Sequence, residues 1–381
     1  MKVYIGFRFI SSTKHINLLH TYSFLSMSTS STPGSFSNVV SLLRFPLILL
    51  VVAIHAVALE LRFPEGNTLY IYISELLSHG IARIAVPLFF FFSGYYTFYH
   101  KDWSLPTVWR KEWGKKARSL LLPYLLWNTL YILILLGKTH LMIYLGGSPK
   151  DPFVITDLGQ LASYYWADVI VYPLWYIRDL LLLTLLAPLG NLLLRLSKGW
   201  VLLLFGTLYL IGFSWTIASL SILPVFFFLL GGWMGQRSFD PLPALYPLRY
   251  LLGALSLVTV LPLPFLSASP YHAQIEALYI LTGGATALLL GQTLLKHRPQ
   301  LAHKLQQAEC YVFFVYAVHT VLLVNWARGI VYRIPFLRED APGALLGYFL
   351  LIALTLGFSL FLYALLRRLA PRVLSVLCGG R

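Results

Sequence analysis

The apolar stretch "LLRFPLILLVVAIHA", residues 42–56, carries two side chains with chemistry that the rest of it lacks, Arg44 and His55. Eleven positions on an α-helix amount to three turns plus about 20°, so the two share one face about 16 Å apart. Arg44 stands near one end of the run and His55 lies deep inside it. A charge at mid-bilayer costs about 2.5–3.5 kcal/mol or more. A neutral imidazole escapes that cost and can accept a proton, which suits general-base work in an apolar pocket. Two bland readings stand beside this one: a buried histidine bonded to a neighbouring helix, and an arginine that snorkels to the headgroups. A second histidine, His319 in "FFVYAVHTVLLVNW", is open to the same pair of readings.

Other candidates are charged or aromatic. In "WRKEWGKKARSLLLPYLLW", 109–127, Lys115 and Arg118 lie three apart and are expected on one helix face, with Lys111 a turn earlier. Such a cluster can clamp the phosphates of an anionic cytoplasmic cofactor or attract anionic lipid headgroups. In "YPLWYIRDLLLLTLLAPL", 172–189, Trp175, Arg178 and Asp179 mark the outer end of a span. As neighbours in sequence, Arg178 and Asp179 are expected to point to different faces and line a solvated mouth, with the aromatics part of an interfacial belt. "VPLFFFFSGYYTF", 86–98, has small residues near its inner end that allow close helix approach. No metal-ligand spacing, P-loop or dinucleotide fingerprint stands out, and no metal is expected.

The elements that must position these residues follow from composition. The chain has 381 residues, 58% hydrophobic and 11% charged, about half the charge of a soluble protein. Apolar runs of about 20 residues recur without the alternation of a β-barrel strand. The fold class is therefore all-α, a polytopic helical membrane bundle. About ten transmembrane helices are expected, near 39–59, 82–99, 119–137, 173–194, 199–215, 219–236, 247–267, 276–295, 310–328 and 344–366. With the N-terminus inside, the cytoplasmic side holds 21 of the 29 Lys/Arg and 4 of the 14 Asp/Glu. This asymmetry puts both termini in the cytoplasm; the cell's inner (cytoplasmic) membrane is the expected location. The asymmetry also assigns the net charge of +15 to topology rather than to nucleic-acid binding. Cys310 and Cys378 are too few for a disulfide framework.

Residues 1–38 are Ser/Thr-rich and lack a signal-peptide pattern, so a disordered or mis-assigned N-terminal extension is expected, with Met27 an alternative start. Residues 39–366 form the bundle and 367–381 a short basic cytoplasmic tail. The aromatic, mildly acidic outer segment 138–172 is expected to include a short interfacial helix.

Taken in order, these pieces resemble the acyltransferase-3 family of membrane acyltransferases over about residues 39–366. The Arg44–His55 spacing matches the family's first-helix motif. Lys115 and Arg118 match its paired basic motif, with Lys in place of the first Arg, which keeps charge attraction but not bidentate phosphate binding. The compact chain resembles the sugar O-acetylase branch. The resemblance implies transfer of an acyl group, by default acetyl, from cytoplasmic acyl-CoA (acetyl-CoA) to a hydroxyl of a cell-surface or exported glycan or a lipid-linked sugar. It makes His55, Arg44 and His319 the catalytic set. Arg44, Lys111, Lys115 and Arg118 would hold CoA, and Trp175, Arg178 and Asp179 would form the substrate mouth. His55 would act as a general base or carry the acyl group itself. Membrane lipids and glycan-assembly proteins are the other expected partners. The rivals are a proton-coupled transporter of a small anionic or sugar substrate and a non-catalytic protein that binds lipid-linked glycans.

Overall fold

A computed structural model describes residues 35–56, 68–149, 151–339 and 341–380. Helix α1 (Phe36–Ala56) runs unbroken through Pro46. It starts three residues before the expected span because Phe36 is buried, its ring set edge-on against Phe91, Phe92 and Tyr95 at 4.7–6.2 Å. Residues 1–34, and the 57–59 end of the expected first span, lie outside the described residues.

Helix α2 (Leu69–Phe98) contains a π turn at Leu76–Gly80 and a 3₁₀ turn at Ile81–Ile84 before its regular part. Helix α3 (Pro106–Tyr144) is longer than the span expected at 119–137. Proline at the first turn starts it without losing a bonded N–H. Pro123 follows the π turn Ala117–Leu121 without ending the helix, which runs to Tyr144 ahead of Gly146 at φ +78°, so the basic segment and the start of the outer segment are both helical. The outer segment also holds a short helix, Leu158–Ser163, capped by Asp157, which accepts from the Gln160 amide at 2.8 Å.

Helices α4 (Tyr172–Leu185) and α5 (Ala187–Leu196) meet at 61°. Pro188 at the start of α5 explains the break, because it has no N–H to continue the ladder. The short helices α6 (Trp200–Leu210) and α7 (Ile222–Gln236) flank a two-stranded hairpin, Thr216–Ile217 with Leu220–Ser221. Then come α8 (Leu242–Phe265) and α9 (His272–His297). Helices α10 (Glu309–Val321) and α11 (Val324–Val331) meet at 59°, with a π turn at His319–Leu323. Helix α12 (Pro342–Leu369) precedes α13 (Pro371–Leu377). The latter folds back on α3, where Trp127 Nε1 donates to the Leu377 carbonyl at 3.1 Å. Residues expected as a tail are thus partly helical and packed.

Among the described residues, six helices are long and apolar enough to cross a membrane, and eight if each bent pair counts as one span. The all-α membrane class stands. The expected ten differ from this because α6 and α7 have only 11 and 15 residues, short of the ~20 that a straight crossing needs.

Helix α1 is the hub, packed against α2, α9, α10 and α12. The closest pair is α2 with α7. A Cβ on Gly94 would collide with the Phe228 carbonyl, one on Gly231 with the Phe91 carbonyl, and one on Gly235 with the Tyr95 carbonyl. The Ser-Gly step in α2 therefore serves close backbone approach.

Candidate active site

Side chains from two other helices bond carbonyls in the last described turn of α1. Ser78, in the π turn of α2, donates to the Ala53 carbonyl at 2.7 Å and lies 2.8 Å from the Tyr348 hydroxyl. Arg328, on α11, donates from Nη2 to the His55 carbonyl at 3.3 Å. His55 is thereby fixed through its backbone, and its half-buried ring is left free for other contacts.

His319 comes to meet it. The two rings lie 5.2 Å apart between centroids, and the Tyr172 ring stands edge-on to His55 at 6.1 Å. His319 is fully buried. Its Nδ1 lies 2.9 Å from the Tyr316 carbonyl and 3.1 Å from the Val315 carbonyl. Carbonyls only accept, so Nδ1 carries the hydrogen and Nε2 presents a bare lone pair. That Nε2 is buried and has no partner among the described residues. The π turn that starts at His319 is the kind of local widening that recurs at functional sites. The Tyr316 hydroxyl donates to the Pro173 carbonyl and ties α10 to the start of α4, next to Tyr172.

Beside this pair is a cavity of about 470 Å³, with Tyr172, Trp175, Arg178 and Asp168 in its lining. Two of the three expected mouth residues, Trp175 and Arg178, thus line one cavity. The expectation that Arg178 and Asp179 face apart is corrected. Both are buried, at 8% and 2% exposure, and Arg178 Nε donates to Asp179 at 3.0 Å. The arginine stem is long enough to curl back to its sequence neighbour. Its Nη1 bonds the Trp166 carbonyl at 2.6 Å, and Ser219 of the hairpin turn bonds Asp179 at 3.3 Å. Asp179 therefore braces Arg178 rather than lining a solvated mouth. A second cavity of about 360 Å³ is lined by Glu75, His79, Leu263 and His272. Here His79 Nδ1 lies 2.7 Å from the Glu75 carboxylate.

At the other end of α1, Arg44 forms an ion pair with Glu309, the first residue of α10. Ser41 donates to the same carboxylate at 2.5 Å, and the guanidinium lies 5.9 Å from the Tyr96 ring centre. About a third of the Arg44 side chain stays exposed. Lys115 shares the buried Glu112 with Lys101, each at 2.8 Å. Lys111 and Arg118 are exposed. The π turn Ala117–Leu121 falls between Lys115 and Arg118. Among the described residues no hydrogen bond or ion pair joins Arg44 to Lys111, Lys115 or Arg118.

The fold thus brings His55 and His319 together, links His55 through Tyr172 to the cavity that Trp175 and Arg178 line, and leaves Arg44 near the opposite end of α1. Glu309, Arg328, Glu75 and His79 were not singled out from sequence. An ionisable residue in or beside an apolar run is the signal that marks each of them.

Polar groups collected inside a bundle of apolar helices, with two imidazoles in contact and an arginine near the other end of the same helix, belong to a polytopic helical membrane protein. The family is given by comparison. The acyltransferase-3 family model, described as "Acyltransferase domain", matches residues 38–364, and the chain belongs to that family. It is also similar to a protein named serine/alanine racemase from Enterococcus gallinarum, 31% identical over 202 residues. That match covers 51% of this chain and 26% of the relative, so the chain spans about a quarter of that protein's length. No solved structure matches.

Proposed function

We propose that this chain is an integral membrane O-acyltransferase. It moves an acyl group, acetyl as the first expectation, from cytoplasmic acyl-CoA to a hydroxyl of an exported or lipid-linked glycan. The observation that carries this reading is the His55–His319 contact, with a buried unpartnered Nε2, inside a segment matched by the acyltransferase family. The reading includes the orientation taken from charge, with both termini cytoplasmic and an even number of crossings, and residence in the cytoplasmic membrane.

In this reading, the exposed Lys111, Lys115 and Arg118, together with the unshared N–H groups of Arg44, hold the CoA phosphates at the cytoplasmic end. The pantetheine arm follows the face of α1 for the ~16 Å from Arg44 to His55. The acceptor enters the Trp175 cavity, where an aromatic wall and the Arg178 guanidinium suit a hydroxylated ring. His55 takes the acceptor's hydroxyl proton as the oxygen attacks the thioester carbon. It returns that proton to the leaving CoA sulfur, so no proton is gained or lost overall. His319, locked by its Nδ1 bonds, sets the position of the His55 ring.

The two bent helices favour one rival, a carrier whose broken spans flank a central site. Purified protein in detergent, without any gradient, separates the two. An acyltransferase converts acetyl-CoA to free CoA when the lipid-linked glycan fraction of the source cells is added, and that fraction gains one acetyl mass. A carrier does neither.

A further inference from the structure

Arg328 bonds the His55 carbonyl and keeps a buried donor without a partner among the described residues. A guanidinium has five N–H donors. One of them, on Nη2, caps the His55 carbonyl at 3.3 Å. The Nε is buried and has no partner among the described residues. The ion pairs among the described residues leave Arg328 without a carboxylate, while Arg44, Arg83, Arg178 and Arg195 each have one.

Capping alone does not call for this residue. Ser78 does the same work for the Ala53 carbonyl with a neutral hydroxyl. A cation half-withdrawn from solvent, with a buried donor left over, carries a desolvation cost that a single cap does not offset. Another buried polar atom of the region without a partner among the described residues is the Nε2 of the fully buried His319. His319 and Arg328 sit on either side of the 59° bend between α10 and α11, and the two converge on His55 from its ring side and its carbonyl side. A cation with a free donor and a proton acceptor, both set against His55, are the two halves that an acyl-transfer site requires.

We infer that Arg328 stabilises the oxyanion formed in acyl transfer, an inference that rests on the acyltransferase reading above. The acceptor oxygen bonds to the thioester carbonyl carbon while its proton passes to His55. The carbonyl π pair moves onto oxygen, and the resulting oxyanion accepts an N–H from Arg328. The oxyanion then collapses, the C–S bond breaks, and the sulfur leaves with its electron pair and takes the proton from His55. Arginine suits this place because it keeps its proton at every working pH and offers charge without acting as an acid. Such a donor counts for most where water is excluded.

The test uses full-length protein in detergent, with radiolabelled acetyl-CoA as donor and the lipid-linked glycan fraction of the source cells as acceptor. Arg328→Gln should lower kcat by roughly 10²–10³-fold and leave both KM values within about two-fold, since the proposed contact is made to the oxyanion and not to the bound substrates. Arg328→Lys should fall between the two. Added guanidinium ion should restore part of the rate of Arg328→Ala, an effect that a merely structural role would not produce. An unchanged kcat in Arg328→Gln, or a loss confined to the acceptor KM, overturns the inference. If Arg328→Gln does not fold, absence of guanidinium rescue in folded Arg328→Ala overturns it equally. A parent protein that transfers no acetyl group sinks the acyltransferase reading itself; an active parent matched by Arg328→Gln sinks only this step.

Discussion

Replacing His55 by alanine is the perturbation that the structure makes easiest to interpret. The backbone at this position is held from outside the ring, by Arg328 on the His55 carbonyl and by Ser78 on the Ala53 carbonyl. Neither bond needs the imidazole. The ring itself has its contacts with His319 and Tyr172, and edge-on aromatic contacts of that kind are worth about 0.5–1.5 kcal/mol. Truncation should therefore lower stability by about 1 kcal/mol. The chemical loss should be far larger. Removing a general base typically costs ~10²–10⁴-fold, or about 2.7–5.5 kcal/mol of transition-state stabilisation. His55→Gln keeps a polar side chain of similar reach but has no useful basicity, so it should be as inactive as His55→Ala. The assay is acetyl transfer by variants whose elution profile, melting temperature and acetyl-CoA affinity match the parent. Retention of most of the activity by both variants would refute the assignment of the base. Loss in His55→Ala with recovery in His55→Gln would make the residue a structural bonding partner instead.

Further outcomes follow from the rest of the bundle. Arg118→Ala should weaken acetyl-CoA binding by about 1.5–3 kcal/mol, the value of a charge-assisted contact. Lys115→Ala should matter less, because Glu112 already engages that lysine at 2.8 Å; isothermal titration checks both, and normal binding by both variants would reduce this cluster to a topology signal. Gly94→Ala should lower the melting temperature sharply or prevent folding, since its Cβ meets the Phe228 carbonyl, whereas Gly114→Ala meets nothing and should be neutral or stabilise by about 0.5–1 kcal/mol. Single cysteines placed in 100–118 should be labelled only from the cytoplasmic side and those in 151–170 only from outside. The reverse pattern would invert the path proposed for CoA.

Class and parts of the site were legible in the sequence for physical reasons. Hydrophobic runs report lipid contact directly, so the membrane bundle is written in composition. Arg44 and His55 share one continuous helix, and their spacing along it follows from helix rise alone. Ser-Gly at 93–94 signals close packing because only a missing Cβ allows it. What sequence order does not carry is partnership between distant segments. Glu309 is 265 residues from Arg44, and nothing local marks it as that arginine's counter-ion. Arg178 and Asp179 went the other way: adjacency suggested separation, and the flexible arginine stem closed the gap.

The break between α10 and α11 shows best why the site could not be read in full. At α4–α5 the bend has a proline, so the interruption is visible in the residues. At His319–Leu323 there is neither proline nor glycine, only "HTVLL". A π turn adds one residue to a helical turn, and packing rather than local propensity decides where it falls. Yet this turn opens on His319, which meets His55. A straight helix gives each residue a direction fixed by the 3.6-residue repeat, so His319 and Arg328, nine positions apart, would differ by half a turn and point to opposite sides. In the bent pair both reach His55, His319 at its ring and Arg328 at its carbonyl. The geometry of the candidate site thus includes a distortion, held by Tyr316 on Pro173 and by Arg328 on α1.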